Sequence, residues 1–264
     1  KEIFSIMNSK CVTIRLLDPP LHEFLPNNQS AILELAKSLN KPVESIQDKI
    51  AQLSEKNPML GHRGCRLAIS YPEIYRMQIR AILSAADELC DINIRPEIMI
   101  PFIMSEKELI LIRQLIQEEA KQFNTKYSIG IMIELPRAAL ISDKLAKYVE
   151  FFSFGTNDLT QMTMGLSRDD SANFFDAYKE NNVFRSDPFE MLDFEGVGEL
   201  IKISIEKGKR SHKDIKIGVC GEHGGNLESI EFFIDSGLDY ISCSPYRVQI
   251  AKLVAAQKAL TISI

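Results

Sequence analysis

No apolar run in this chain approaches the roughly 20 residues that a membrane span needs, so no transmembrane helix is expected. No signal peptide opens it. It starts not with Met but with Lys1-Glu-Ile-Phe, as expected of a piece cut from something longer. Cysteine is scarce. The five thiols, Cys11, Cys65, Cys90, Cys220 and Cys243, are odd in number and scattered, with no CxxC spacing. That indicates neither a disulfide framework nor a structural zinc site. A reducing, cytoplasmic compartment is expected, with Cys11, Cys65, Cys90 and Cys243 as inert structural thiols. Positive charge is not in excess either. A net charge of −5 gives no general attraction to nucleic acid or to an acidic membrane, so neither is an expected partner. A local basic cluster around a small anion remains open. No internal repeat or low-complexity tract appears.

The chain does have ordinary globular material, 264 residues with 45% hydrophobic and 25% charged content. Short runs rich in Ile, Val and Phe predict strands at Val12–Leu17, Glu97–Ile103, Ser128–Glu134, Glu150–Gly155, Ile215–Cys220 and Asp239–Cys243. They lack clean polar alternation, as parallel strands covered on both faces do. Helices lie between them. Ser105 with Glu108 forms a capping box ahead of Leu109–Phe123. Pro72 fits the first position of a helix to about Cys90, and Ser244-Pro245 opens the last one. This alternation predicts an α/β fold with a parallel sheet and crossover helices. Six strands fit either an open doubly wound sheet or a (β/α)8 barrel lacking two units. Two stretches, Asn57–Ser70 and Met162–Phe194, resist the alternation and are expected to be long functional loops.

Chemistry-bearing residues gather at strand ends, where parallel α/β proteins build active sites. Gly155 is followed by Asn157 and Asp158, and Glu134 closes Gly130-Ile-Met-Ile-Glu. Two carboxylates from neighbouring tips, with room for water, suit octahedral Mg²⁺. The alternative is that each caps the helix that follows. Arg15 sits inside an apolar run, where a guanidinium is costly unless it meets an anion. Arg63 and Arg66 flank Gly64, which would let backbone approach a ligand, and Arg168 adds a fourth cation. Arginine forks match phosphate oxygens, so the cluster points to a phosphorylated substrate; internal pairing, as of Arg15 with Asp18, is the other reading. Cys220 ends a strand before Gly221-Glu-His-Gly-Gly225, where the neighbouring Glu222 and His223 would tune a nucleophile or general acid. That turn is neither a dinucleotide nor a P-loop fingerprint. His22, His62 and His212 lack metal-like spacing and are expected on loops or the surface.

Five motifs, in order, resemble the PEP-utilising enzyme family: Thr13-Ile-Arg-Leu-Leu-Asp-Pro-Pro-Leu-His-Glu-Phe, Gly61-His-Arg-Gly-Cys-Arg, Ile133-Glu-Leu-Pro-Arg-Ala-Ala, Phe154-Gly-Thr-Asn-Asp-Leu-Thr-Gln-Met-Thr and Cys220-Gly-Glu-His-Gly-Gly. The resemblance covers nearly the whole chain and falls on the family's C-terminal PEP/pyruvate domain. It implies a single domain over residues 1–264, a (β/α)8 TIM barrel whose first two βα units are missing here, with the exposed sheet edges covered by absent residues or by a partner molecule. It implies Mg²⁺ on Glu134 and Asp158. Arg15 and Arg63 would neutralise a transferred phosphoryl group, Ser153, Gly155, Thr156 and Asn157 would line the substrate, and Arg168 would contact phosphate. Cys220 would move a proton at C3 of enolpyruvate. The implied reaction is phosphoryl exchange between a phosphohistidine on a separate domain and pyruvate, within the conversion of ATP, phosphate and pyruvate to AMP, diphosphate and PEP. A homodimer is also implied. Other phosphotransferases of the family, a Mg²⁺-dependent C–C lyase and an inert fragment are the rival readings.

Overall fold

The structure is a computed structural model, and it describes residues 1–89 and 94–262. All six strand runs form strands: β1 (Val12–Arg15), β2 (Pro96–Ile100), β3 (Ser128–Ile133), β4 (Phe151–Phe154), β5 (Lys216–Cys220) and β6 (Tyr240–Ser242). Each neighbouring pair is parallel and the sheet order is β1-β2-β3-β4-β5-β6. An order that never turns back is singly wound, which excludes the doubly wound sheet with its switch point. Right-handed crossovers that all step the same way put every crossover helix on one face.

The helices are α1 (Glu2–Met7), α2 (Gln29–Leu39), α3 (Val43–Leu53), α4 (Cys65–Ser70), α5 (Pro72–Asp87), α6 (Glu106–Ala120), α7 (Pro136–Leu140), α8 (Ser142–Leu145), α9 (Thr156–Met164), α10 (Ala172–Glu180), α11 (Val197–Ser211), α12 (Leu227–Asp235) and α13 (Val248–Ile262). Local chemistry sets several boundaries. The Ser105–Glu108 capping box forms at the head of α6, and Pro72 opens α5. Among the described residues, no helix is long and apolar enough to cross a membrane.

The sheet curls into a trough. Glu97 on β2 and Lys216 on β5 meet at 2.8 Å, although three strand spacings of about 4.8 Å would hold them roughly 14 Å apart in a flat sheet. On the convex side Ile98, Ile100, Ile131, Ile133, Phe152, Phe154, Ile217 and Val219 are fully buried in the main core beneath the helices. On the concave side Met99, Met132 and Phe151 form a second, small cluster with Cys220 against it. The two side-chain directions of each strand thus serve two separate cores.

Several expectations need correction. Asn57–Ser70 is not a structureless loop, since it carries a 3₁₀ turn at Pro58–Leu60 and the whole of α4. Met162–Phe194 likewise holds the end of α9 and all of α10, and within it the rings of Phe174, Phe175, Tyr178 and Phe184 pack on one another. Helices α2 and α3 occupy a stretch in which no element was expected. Cys11 is exposed, not a core thiol, because it precedes the edge strand β1; Cys65 is buried as expected and Cys243 is half-buried. Cys90, expected at the end of α5 and in the core, lies outside the described residues.

Candidate active site at the strand tips

Side chains of α5 fix the end of β1. Gln78 accepts the Leu17 N–H at 2.8 Å and donates to the Arg15 carbonyl at 3.2 Å, while the Tyr75 hydroxyl donates to the Leu17 carbonyl at 2.7 Å. With its backbone held this way, Asp18 is buried at the tip. The Gly61–Cys65 loop then seats on two tips at once, through Gly64 N–H to the Asp18 carbonyl (3.0 Å) and Cys65 N–H to the Pro101 carbonyl (3.2 Å). Gly64 has φ +57°, and a Cβ there would stand 2.5 Å from the Phe102 Cβ. Its missing side chain therefore makes room for a neighbouring strand tip, not for a ligand.

That loop delivers Arg63 to the interior. Arg63 is 4% exposed, and its guanidinium bonds Asp18 through Nη2 (2.6 Å) and Nε (3.2 Å) and Asp158 through Nη1 (3.0 Å) and Nη2 (3.2 Å). The Phe102 ring covers one face, 4.3 Å from the guanidinium carbon. Burial alone would lower the Arg63 pKa, but the bonds and charges of Asp18, then Asp158, outweigh it and the group lies above its ordinary value. Asp158 stands in the first turn of α9, yet its oxygens serve Arg63. Glu134 does not cap α7 either: its Oε1 accepts the Phe102 N–H at 2.5 Å, and a Cβ on Gly155 would lie 2.8 Å from its Oε2. Glu134 is 1% exposed. Burial, then the charges of Asp18 and Asp158, push its carboxyl well above the usual range, against the Phe102 N–H and Arg63.

Asp18, Glu134 and Asp158 bring carboxylate oxygens within 4.8 Å of one another. Three carboxylates facing Arg63 and Arg15, whose Nη1 lies 3.4 Å from Asp18, leave the group with more negative than positive charge when all are ionised. Such a set of hard oxygen donors can take a divalent cation of the Mg²⁺ kind. Arg15 is not buried, contrary to expectation, because it faces the open concave side, with 46% of its side chain exposed.

Beside this cluster lies a cavity of about 330 Å³ inside the trough, lined by Arg15, Met132, Ser153, Cys220 and Tyr240 among others. A second, of about 680 Å³ at the mouth, is lined by Asn157, Glu222, Asn226, Arg247 and again Cys220. Cys220 thus lines both cavities. Burial pushes its pKa up to about 11; the Ser153 hydroxyl opposes this and the Glu134 charge adds to it. His223 does not face it. The His223 ring is buried, with Nε2 donating to the Pro188 carbonyl (2.8 Å) and Nδ1 accepting the Thr156 hydroxyl (2.7 Å); burial lowers its pKa and keeps it neutral. Glu222 pairs instead with Arg168 on the rim, both half-exposed, and its N–H donates to Asn157 Oδ1 at 3.1 Å.

The fold therefore gathers Arg63, Glu134, Gly155 and Asp158 at one point, with Arg15, Ser153 and Cys220 along the adjoining cavity. Thr156 is buried beneath, Asn157 lines the mouth, and Arg168 stays at the periphery. In the sequence Asp18 stands out only as a partner for Arg15 and His223 as a neighbour of the Cys220 thiol, while no motif marks a role for Phe102 or Glu97. A charged residue at the end of β1 before Pro19-Pro20, and another inside the apolar run of β2, were the available signals.

Carboxylates, guanidiniums and a thiol gathered at the C-terminal tips of a parallel sheet make an arrangement that can serve as a catalytic centre. Residues 1–260 match the family described as PEP-utilising enzyme, PEP-binding domain, and the chain belongs to that family. It is 48% identical over 269 residues to pyruvate, phosphate dikinase of Clostridium symbiosum, covering 98% of this chain and 31% of that protein. It is 52% identical to the Rhizobium meliloti protein of the same name (98% and 30%) and 51% identical to the chloroplastic pyruvate, phosphate dikinase 1 of Arabidopsis thaliana (97% and 28%). The chain thus spans about 30% of the length of these relatives. Among solved structures, a citrate lyase from Burkholderia xenovorans LB400 is similar over 69% of this chain and 53% of that one, at 16% identity and a TM-score of 0.46, too slight a likeness to bear on function.

Proposed function

We propose that this chain forms the PEP/pyruvate site of a pyruvate, phosphate dikinase, where a phosphoryl group passes between a phosphohistidine on a separate domain and the enolate of pyruvate. The observation that carries the reading is Arg63, buried between Asp18 and Asp158 beside Glu134 and next to the cavity that holds Cys220. In the whole protein this half-reaction belongs to the conversion of ATP, phosphate and pyruvate to AMP, diphosphate and PEP. The open edges of β1 and β6, each paired on one side only among the described residues, suit two further βα units that complete a (β/α)8 barrel, and the assembly is a homodimer. A reducing, cytoplasmic-type compartment fits its unpaired thiols.

Glu134 and Asp158, with Asp18 at hand, would hold Mg²⁺, which supplies positive charge to the enolate, carboxylate and phosphoryl oxygens of the substrate. The remaining work falls to this chain's own groups. Gly155 lets the chain pass close beside Glu134, since a Cβ there would stand 2.8 Å from its Oε2. Arg15, half-exposed in the trough, meets the phosphoryl group with a fork that matches its oxygens, and Arg63 joins it with the Nη1 edge that Asp158 gives up on turning to the cation. Ser153 and Asn157 face the cavities, and Thr156 opens α9, whose first N–H groups point at anionic oxygens. Arg168 is the outermost cation that an incoming phosphate meets.

Cys220 is a thiol, not a thiolate, at neutral pH. It is therefore set as an acid. In the direction of pyruvate, the S–H bond breaks, the enolate C3 takes the proton, and the enolate oxygen becomes the ketone; in reverse, the thiolate removes a methyl proton. The test is the melting temperature with Mg²⁺ plus phosphonopyruvate. The reading expects stabilisation in the parent and none in Glu134→Ala or Asp158→Ala. A parent that gains nothing contradicts it.

A further inference from the structure

Five residues other than glycine adopt positive φ among those described: Asn8, Ser9, Asn40, Asn182 and Phe102. Four are short polar residues in turns and helix caps, where the left-handed conformation is tolerated. Phe102 is different, with φ +61° and no exposed surface, at the tip of β2. A bulky residue keeps such a backbone only when its surroundings hold it there, and strain of this kind concentrates at functional sites.

What holds Phe102 is the site itself. Its N–H donates to Glu134 Oε1 (2.5 Å) and its carbonyl accepts from the Cys65 thiol (3.1 Å). Its ring lies 4.3 Å from the Arg63 guanidinium carbon and 4.8 Å from that of Arg66. Its Cβ fills the space that Gly64 leaves. Asp18 and Asp158 occupy the edges of the Arg63 guanidinium, where hydrogen bonds form. Only the faces remain, and an aromatic ring attracts a cation at its face without needing a hydrogen bond. An aliphatic side chain of similar bulk would fill the volume and offer no such attraction. The left-handed turn lets one residue aim its N–H at the buried carboxylate and its ring at the buried cation.

We propose that Phe102 is a positioning residue of this site: its strained backbone orients Glu134 and its ring orders Arg63 for the substrate's phosphoryl group. The proposal deepens the phosphoryl-transfer reading and rests on it for the identity of the substrate. Asp158 serves both Arg63 and the proposed cation, so the ring and Asp18 are what keep Arg63 in place when Asp158 is drawn away.

The experiment replaces Phe102 with 3,4,5-trifluorophenylalanine, which preserves shape and weakens the ring's attraction for a cation, and compares Phe102→Leu. Two quantities are read on the same protein: water exchange of the Arg63 Nε–H by ¹⁵N–¹H NMR, assigned with Arg63→Lys, and the affinity for Mg²⁺ plus oxalate by calorimetry. The expected result is about a tenfold faster exchange and about a tenfold weaker affinity in the fluorinated protein, with an unchanged melting temperature and a similar result for Phe102→Leu. Unaltered Arg63 exchange in the fluorinated protein overturns the proposal. If fluorination frees Arg63 but the parent itself takes up no Mg²⁺ with oxalate, the ordering role stands and the phosphoryl-transfer reading fails.

Discussion

Glu97 and Lys216 form an ion pair of 2.8 Å across the concave face, linking β2 to β5 over two intervening strands, with Thr13 donating to the other Glu97 oxygen at 2.6 Å. The Lys216 ammonium also lies 4.8 Å from the centre of the Tyr240 ring on β6. One buried carboxylate therefore ties together three elements whose tips carry the site. Its removal is expected to loosen the curl that brings Arg15 on β1 towards Cys220 on β5.

Lys216→Met leaves Glu97 buried without its cation. A fully buried pair broken on one side costs about 3–5 kcal/mol. Because the Lys216 side chain is 38% exposed, solvent screening reduces this to roughly 1–2 kcal/mol. Lys216→Met with Glu97→Gln restores most of the loss, since no unpaired charge remains. Urea unfolding of the two single variants and the double variant checks this; additive losses would contradict the bridge.

Glu134 gives the protein an unusual pH dependence. Its folded pKa is raised above the ordinary value of 4.5. The stability it contributes is therefore full below that value and is lost as pH rises through the folded pKa. Without a cation, the parent loses stability as pH rises above the ordinary carboxyl value of 4.5 and through the raised folded value, and Glu134→Gln lacks this fall. Unfolding free energies across that range decide the matter, and parallel curves would refute it.

Cys220, with its pKa pushed up to about 11, is expected to alkylate slowly at neutral pH and faster as pH rises towards that value. The measurement uses a Cys11→Ser background to remove the exposed thiol. Cys220→Ala is expected to lose about 10²–10⁴-fold in exchange of pyruvate methyl protons with deuterated water, while Mg²⁺ plus oxalate still binds. Unimpaired exchange would remove Cys220 from the proton step.

Gly221 fits against Thr156 so closely that a Cβ would stand 1.9 Å from Thr156 Oγ1 and 3.1 Å from its backbone nitrogen. Gly221→Ala is expected to cost about 1–3 kcal/mol and to break the Thr156–His223 bond that joins the tips of β4 and β5. A melting temperature equal to the parent's would show that the two tips are not locked together.

The strands were legible because parallel segments buried on both faces, as β2 to β5 largely are, must be short and apolar, and the capping box of α6 is a local signal read within four residues. Helix α2 carried a comparable mark, with Asn28 Oδ1 accepting the Ala31 N–H at 2.9 Å, although of its residues only Ala36 is fully buried. The tips were legible because glycine, amide and carboxylate stand together at Gly155–Asp158. What the sequence could not convey were partnerships made across the fold. Arg63 meets Asp18 over 45 positions and Asp158 over 95, and Lys216 meets Glu97 over 119. Nothing near Phe102 in the chain announces a left-handed backbone, which only the contacts with Glu134, Cys65 and Arg63 impose.

The central claim is that Glu134 and Asp158 hold a divalent cation that a PEP-like anion then joins. Calorimetric titration of the protein with oxalate, with and without Mg²⁺, tests it directly, beside Glu134→Gln and Asp158→Asn. The account predicts binding that needs Mg²⁺ in the parent and is absent in both variants. Oxalate binding of equal strength without Mg²⁺, or undiminished in either variant, would contradict it.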